Sequence, residues 1–147
     1  EAQSRGNNIY VYNPNSLTFK QGKIVAKVRS IKKKKKIGYH VTFGDQEIKE
    51  LSEFHVIWLR QDPPFDMGYI TTTHLLDMVG QETLIVNNPF WVRNLPEKLL
   101  VLKFPELIPN TLISRDLEEI KEFKREFGDI IIKPLYGNGG AGVFRLK

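Results

Sequence analysis

Residues 137–142 contain four glycines and follow, after three intervening residues, an apolar segment that ends in a lysine. The β-branched residues of that segment, 130–133, predict a short strand, and residues 143–146 again have strand-like character. Because glycine has no Cβ, the backbone N–H groups of such a loop can turn toward an anion, and the lysine adds positive charge. The segment therefore predicts a nucleotide-binding loop between two strands. Its candidate contacts are Lys133, Gly137, Asn138, Gly139, Gly140, Ala141 and Gly142.

Three well-known glycine motifs fit this loop poorly. The spacing Gly137-x-Gly139-x-x-Gly142 matches the dinucleotide fingerprint, but that motif must open a helix, whereas a strand is predicted here. A P-loop needs Lys followed by Ser or Thr after its last glycine, and Val143 stands there instead. The protein-kinase loop has its lysine downstream, whereas Lys133 is upstream. An ordinary hairpin turn remains the simpler alternative, although it does not require four glycines and a lysine.

Composition limits the possible classes of protein. The 147 residues carry a net charge of +5 and no cysteine, so disulfides and Cys-ligated zinc are excluded and a cytoplasmic protein is expected. No apolar run is long enough to predict a membrane-spanning helix. His40, His55 and His74 lack metal-ligand spacing, so we interpret them as structural or exposed residues.

The excess positive charge comes from one run of five lysines, residues 32–36, and without it basic and acidic residues balance. We place this run in a loop. Because no aromatic or arginine residue is interleaved with it, a solvated loop is favoured over a nucleic-acid patch.

The first 54 residues predict mainly short strands. Residues 1–6 are typical of the last turn of a helix, which predicts a chain truncated at its start. Residues 17–29 form a predicted hairpin around Gln21-Gly22. A short strand is expected over residues 37–43, and weak helix over residues 44–54.

Residues 55–87 predict a βαβ unit. Residues 55–59 form an apolar run typical of a parallel strand covered on both faces, and two prolines after Asp62 stop it. A helix is expected over residues 67–79 and a second strand over residues 83–87. Functional loops lie at the carboxyl ends of such strands. Arg60, Asp62 and Asn87 lie there and are therefore candidate functional residues.

After a predicted domain boundary near residue 88, helix is expected over residues 94–104 and an extended segment over residues 111–114. The clearest helix is residues 116–127, where Asp116 and Glu119 could form a capping box.

Four stretches carry a resemblance to a known family. They are residues 57–66 with Asp-Pro-Pro-Phe-Asp, residues 83–89, the Glu-Lys-Leu of residues 97–99, and residues 131–140 with Lys-Pro-Leu-Tyr-Gly. Together they resemble the bacterial type of glutathione synthetase, within the ATP-grasp ligases. The resemblance implies an α/β fold: a Rossmann-like pre-ATP-grasp domain with a parallel sheet over residues 1–88, truncated at its start, and the beginning of an ATP-grasp α+β subdomain over residues 89–147.

The resemblance also implies a reaction, in which ATP phosphorylates the cysteinyl carboxylate of γ-glutamylcysteine and glycine displaces the phosphate to give glutathione. Lys98 and Lys133 would neutralise nucleotide phosphate under a mobile glycine flap. Arg60, the candidate catalytic residue, and Asp62 would lie on the dipeptide side, where Asp62 and Asp66 chiefly hold the loop in shape. A local Arg60–Asp62 ion pair is the alternative role.

Similarity to the family further implies Mg²⁺ or Mn²⁺ with ligands outside this chain, and a homotetramer. From the lysine run and the lack of a long apolar span, we expect no nucleic-acid or membrane partner. A fragment of this length would be inactive by itself. Two alternatives stay open: another ATP-grasp carboxylate-amine ligase, and a basic module that binds nucleic acid through residues 32–36.

Overall fold

The computed structural model describes residues 1–34 and 38–147, which contain eight strands and four α-helices. The strands are β1 (Ile9–Tyr12), β2 (Thr18–Lys20), β3 (Lys23–Lys33), β4 (Val41–Glu50), β5 (Val56–Trp58), β6 (Leu84–Val86), β7 (Ile130–Ile132) and β8 (Phe144–Leu146). The helices are α1 (Met67–Asp77), α2 (Pro89–Asn94), α3 (Glu97–Leu100) and α4 (Leu117–Phe127). The chain divides into two compact units, residues 1–62 with 67–93 and residues 63–66 with 94–147. No helix in the described part of the chain combines the length and apolar character needed to cross a membrane.

An antiparallel sheet forms around β3 in the first unit. β2 and β1 pair in succession along one edge of β3, and β4 pairs along the other. The predicted hairpin is confirmed: Gln21 and Gly22 both have positive φ, 50° and 81°, as the two-residue turn of a twisted hairpin requires.

Two predictions for this region are wrong. Lys32 and Lys33 belong to β3 rather than to a loop, whereas residues 35 and 36 lie outside the described residues. Residues 44–50 are not helical, because β4 continues to Glu50 before a 3₁₀ turn. Pairing between β3 and β4 accounts for both differences. The hydrogen bonds of the paired strands satisfy backbone N–H and C=O groups, and this tertiary contact outweighs the local preference of these residues for loop or helix.

The predicted βαβ unit is confirmed, with β5 and β6 parallel and in register from Val56–Leu84 to Trp58–Val86. The expectation that β5 is covered on both faces is wrong: Ile57 is buried, but Val56 and Trp58 are 45% and 65% exposed. In the described sheet β5 pairs with a single strand, and its buried face packs into the core.

The core of the first unit joins β3 to this βαβ unit. Alternate residues of β3 are buried. They pack with Ile57 of β5, with Leu59 just after that strand, and with Leu76 of α1. A fully buried isoleucine, leucine or valine side chain contributes about 1.5–3 kcal/mol. Thr83, also buried, donates its hydroxyl to the Phe54 carbonyl at 2.8 Å. The Thr83–Phe54 bond ties the amino ends of β6 and β5 together, whereas Leu59 is buried in the core just after the carboxyl end of β5.

In the second unit, prolines interrupt the helix predicted over residues 94–104. Pro96 precedes α3, which passes into the 3₁₀ turn Val101–Lys103, and a second 3₁₀ turn starts at Pro105. α4 is confirmed, but its capping box is only half formed. Asp116 accepts from the Glu118 N–H at 2.8 Å, whereas its own N–H donates to Ser114 Oγ and not to Glu119.

Candidate nucleotide site

The glycine-rich segment connects two antiparallel strands, as predicted. β7 and β8 pair from Ile130–Leu146 to Ile132–Phe144, so the residues between them form a hairpin loop. The element that follows the loop is the strand β8 and not a helix, so the dinucleotide fingerprint does not apply. Residues 137–143 are all exposed, so their backbone can be reached from solvent.

Positive φ angles explain three of the loop glycines. Gly139, Gly140 and Gly142 have φ values of 60°, 78° and 71°, a region that side chains with a Cβ rarely adopt. Two turns follow one another here, since the Ala141 N–H donates to the Asn138 carbonyl and the Val143 N–H to that of Gly140, both at 3.2 Å. The loop therefore has a defined path that depends on glycine.

Pro134 forms one side of this loop. A Cβ at Gly142 would lie 2.8 Å from Pro134 Cγ, and one at Gly137 would lie 3.5 Å from Pro134 Cβ. The backbone at both ends of the loop thus folds closely over the proline ring, and Gly142 is required for its lack of a side chain as well as for its φ.

Lys98 contacts the loop directly. It lies in α3, its side chain is half-buried, and its ammonium donates to the Leu135 carbonyl at 3.2 Å and the Gly137 carbonyl at 2.8 Å. Sequence reasoning had selected Lys98 as a phosphate ligand through the resemblance alone. The structure brings it together with the loop and shows partners that local sequence could not indicate.

Lys133 follows β7 immediately and is exposed. No hydrogen bond or ion pair joins its ammonium to any residue that the structure describes. Its charge is therefore available to a ligand at the start of the loop.

Arg60 and Asp62 belong to the first unit, whereas the glycine loop belongs to the second. Both side chains are exposed, and no ion pair joins them although both residues are described, so the local ion-pair alternative is wrong. Their loop begins where the Leu59 N–H donates to the Val86 carbonyl, and its Pro63–Pro64 peptide is cis.

Sequence reasoning missed two polar groups of the first unit. Arg93, 14% exposed, forms an ion pair with Asp77 at the end of α1, and its guanidinium lies 5.5 Å from the Phe90 ring centroid. Gln61 Oε1, between Arg60 and Asp62, is buried and accepts no hydrogen bond from the described residues. No spacing rule marks either residue. Within the described range, no group of three or more His, Cys, Asp or Glu residues could hold a metal ion.

Comparison with known proteins defines the class. A family model described as the prokaryotic glutathione synthetase ATP-grasp domain matches residues 97–147, which contain Lys98 and the glycine hairpin. A second, for the N-terminal domain of prokaryotic glutathione synthetase, matches residues 1–93. The chain therefore belongs to the prokaryotic glutathione synthetase family.

Curated relatives agree with this assignment. Over 99% of its length the chain is 54% identical to a glutathione synthetase of Brucella melitensis and 51% identical to one of Mesorhizobium japonicum. It is 53% identical over 98% of its length to one of Agrobacterium fabrum. It covers 47%, 47% and 45% of these proteins, so it spans about half their length.

Proposed function

We propose that this chain is part of an ATP-dependent ligase that joins γ-glutamylcysteine to glycine, forming glutathione, ADP and phosphate. Membership of the family supports the reaction. One structural observation supports the role of this chain, which is to bind the nucleotide. That observation is the exposed glycine hairpin, whose backbone is held by Lys98 and which follows Lys133, an ammonium with no partner among the described residues.

The hairpin suits a polyphosphate. Exposed N–H groups in residues 137–142 can donate to phosphate oxygens, and two ammonium groups can offset the negative charge. Phosphoryl transfer to a carboxylate depends mainly on such positioning and electrostatic stabilisation. We assign nucleotide contact to these residues: Lys98, Lys133, Gly137, Asn138, Gly139, Gly140, Ala141 and Gly142.

Arg60 and Asp62 are proposed for the dipeptide side. Their support is their place at the carboxyl end of a parallel strand, where ligands of α/β sheets bind, and an exposed guanidinium suited to a carboxylate. We further propose that the parallel pair β5–β6 belongs to a Rossmann-like domain. Residues 1–88 and 89–147 are proposed as the two domains, and the two family matches, over residues 1–93 and 97–147, support a division into two parts.

The described residues do not fit a metal ion, so no step is assigned here to Mg²⁺ or Mn²⁺. We propose that the ligands of such an ion lie outside these 147 residues. A homotetramer is proposed from resemblance to the family. The cytoplasm is proposed because it supplies the ATP that this reaction consumes.

The test measures phosphate release by an enzyme that contains this chain and is as long as its relatives. The reaction contains ATP, Mg²⁺, γ-glutamylcysteine and glycine, and each component is left out in turn. We expect release to require all four and glutathione to form in equal amount. Release that continues without the dipeptide would refute the substrate assignment, and release with a different acid only would favour another ATP-grasp ligase.

Nucleic-acid binding is the alternative function that is not enzymatic. Lys32, Lys33 and Lys34 are exposed and have no acidic partner among the described residues. We expect no salt-dependent binding of an oligonucleotide. Binding that disappears when residues 32–36 are replaced by serine would overturn that expectation.

A further inference from the structure

We propose that Lys98 is a positioning residue: its ammonium ties the start of the glycine loop to helix α3 and so fixes the base of a flap. This inference rests on the proposed nucleotide site. It gives Lys98, so far proposed only as a phosphate ligand, a second role in positioning the loop. The two hydrogen bonds, to the carbonyls of Leu135 and Gly137, are its foundation.

The chemistry of the contact lets one side chain do both tasks. An ammonium group has three N–H donors, and two of them are directed to the loop carbonyls. Backbone carbonyls carry no net charge, and no carboxylate among the described residues forms an ion pair with Lys98. The tether therefore leaves the positive charge uncompensated and the third N–H available to a phosphate oxygen.

The position of the tether divides the loop. It holds the backbone on both sides of Tyr136, and Pro134 packs against Gly137 at the same place. Beyond Gly137, the described backbone bonds of the loop are the two turn bonds within residues 138–143. Residues 138–141 are therefore the part that can lift to admit or release nucleotide, residues 135–137 are its fixed base, and Gly142 packs against Pro134 at the other end.

Hydrogen exchange of the nucleotide-free full-length enzyme tests the tether, with Lys98→Met compared with the matched variant Lys133→Met. Both variants lose one ammonium group, but only Lys98 holds the loop. We expect exchange of the Ala141 and Val143 amides, whose N–H groups donate within the loop, to rise about ten-fold in Lys98→Met, because the base of the loop loses hydrogen bonds from a charged donor. Lys133→Met is expected to exchange at the unsubstituted rate, and Lys98→Arg, which keeps donors and charge, to restore most of the protection.

Equal exchange in Lys98→Met and the unsubstituted enzyme would overturn the inference. Exchange in α4 serves as the control for folding, because a variant that loosens there as well has lost more than the tether. A second measurement needs no variant: acylation of lysines in the unsubstituted enzyme, followed by mass spectrometry. Lys98 is expected to react at least about ten-fold more slowly than Lys133, and equal rates would also overturn the tether.

Nucleotide affinity separates this inference from the proposed function. ATP is expected to bind more weakly to both lysine variants, since each loses a charge from the site. If neither variant changes ATP affinity, the proposed nucleotide site fails, whereas exchange and acylation still decide whether Lys98 ties the loop.

Discussion

Single residues shape the glycine loop in two different ways. Gly139 supplies a positive φ and has open space where a Cβ would be. Gly142 supplies a positive φ and also lies so close to Pro134 that a Cβ would overlap the ring at 2.8 Å. The two positions therefore separate the conformational requirement for glycine from the steric one.

Gly142→Ala is expected to lower the free energy of unfolding more than Gly139→Ala. The second variant meets only the cost of a left-handed conformation, about 1–2 kcal/mol. The first meets that cost and must also displace the Pro134 ring. Urea unfolding followed by circular dichroism measures both variants. Equal losses would show that the loop moves away from Pro134 without cost.

At the scale of elements, α4 shows which local signals hold a helix that has no fully buried residue. Its ion pairs Glu118–Lys121 and Glu122–Arg125 join exposed side chains and contribute at most about 1 kcal/mol each. The Asp116 side chain, in contrast, satisfies an N–H at the start of the helix. Capping is therefore the strongest single local contribution that the contacts of α4 indicate.

We expect Asp116→Ala to destabilise the protein by about 1 kcal/mol, since the Glu118 N–H loses its acceptor. Glu119→Ala is the matched control, because Glu119 does not make the reciprocal bond of a capping box. It should change the free energy of unfolding by no more than about 0.5 kcal/mol. Thermal unfolding of the two variants under one set of conditions decides this, and a larger effect at Glu119 would contradict it.

At the scale of the whole molecule, folding changes the titration of Tyr12. This residue packs against the core of the first unit, and burial raises the pKa of its phenol from 10.0 to about 12. Burial has this effect because it disfavours the charged phenolate. Stability of the first unit is thereby coupled to pH in the alkaline range.

The sign follows from the raised pKa. Below pH 10 both folded and unfolded states keep the proton, so the contribution of Tyr12 is fully present. It is lost as pH rises toward about 12, where the unfolded chain has already released its proton. The Tyr12→Phe variant should therefore lose less stability than the unsubstituted protein when the pH is raised from about 9 to about 11. These two values lie on either side of the unfolded pKa of about 10. Parallel pH profiles of the free energy of unfolding would contradict this.

Several elements were predictable because their signals are local. Gln21-Gly22 specifies its turn by backbone conformation, apolar runs and the prolines after Asp62 delimit the βαβ unit, and Asp116 and Gly128 bound α4. The strand–loop–strand arrangement of residues 130–146 was equally predictable from β-branched residues around glycines.

The same sequence could not indicate the second part of β4, because its polar residues 44–50 become a strand only by pairing with β3. Nor could it indicate the partners of Lys98, which lie 37 and 39 residues away along the chain. By itself, then, the sequence determined turns, caps and strand segments, whose causes are steric and act within a few residues. Only the tertiary structure decided which ammonium group meets which carbonyl, since that depends on backbone groups brought together from distant parts of the chain.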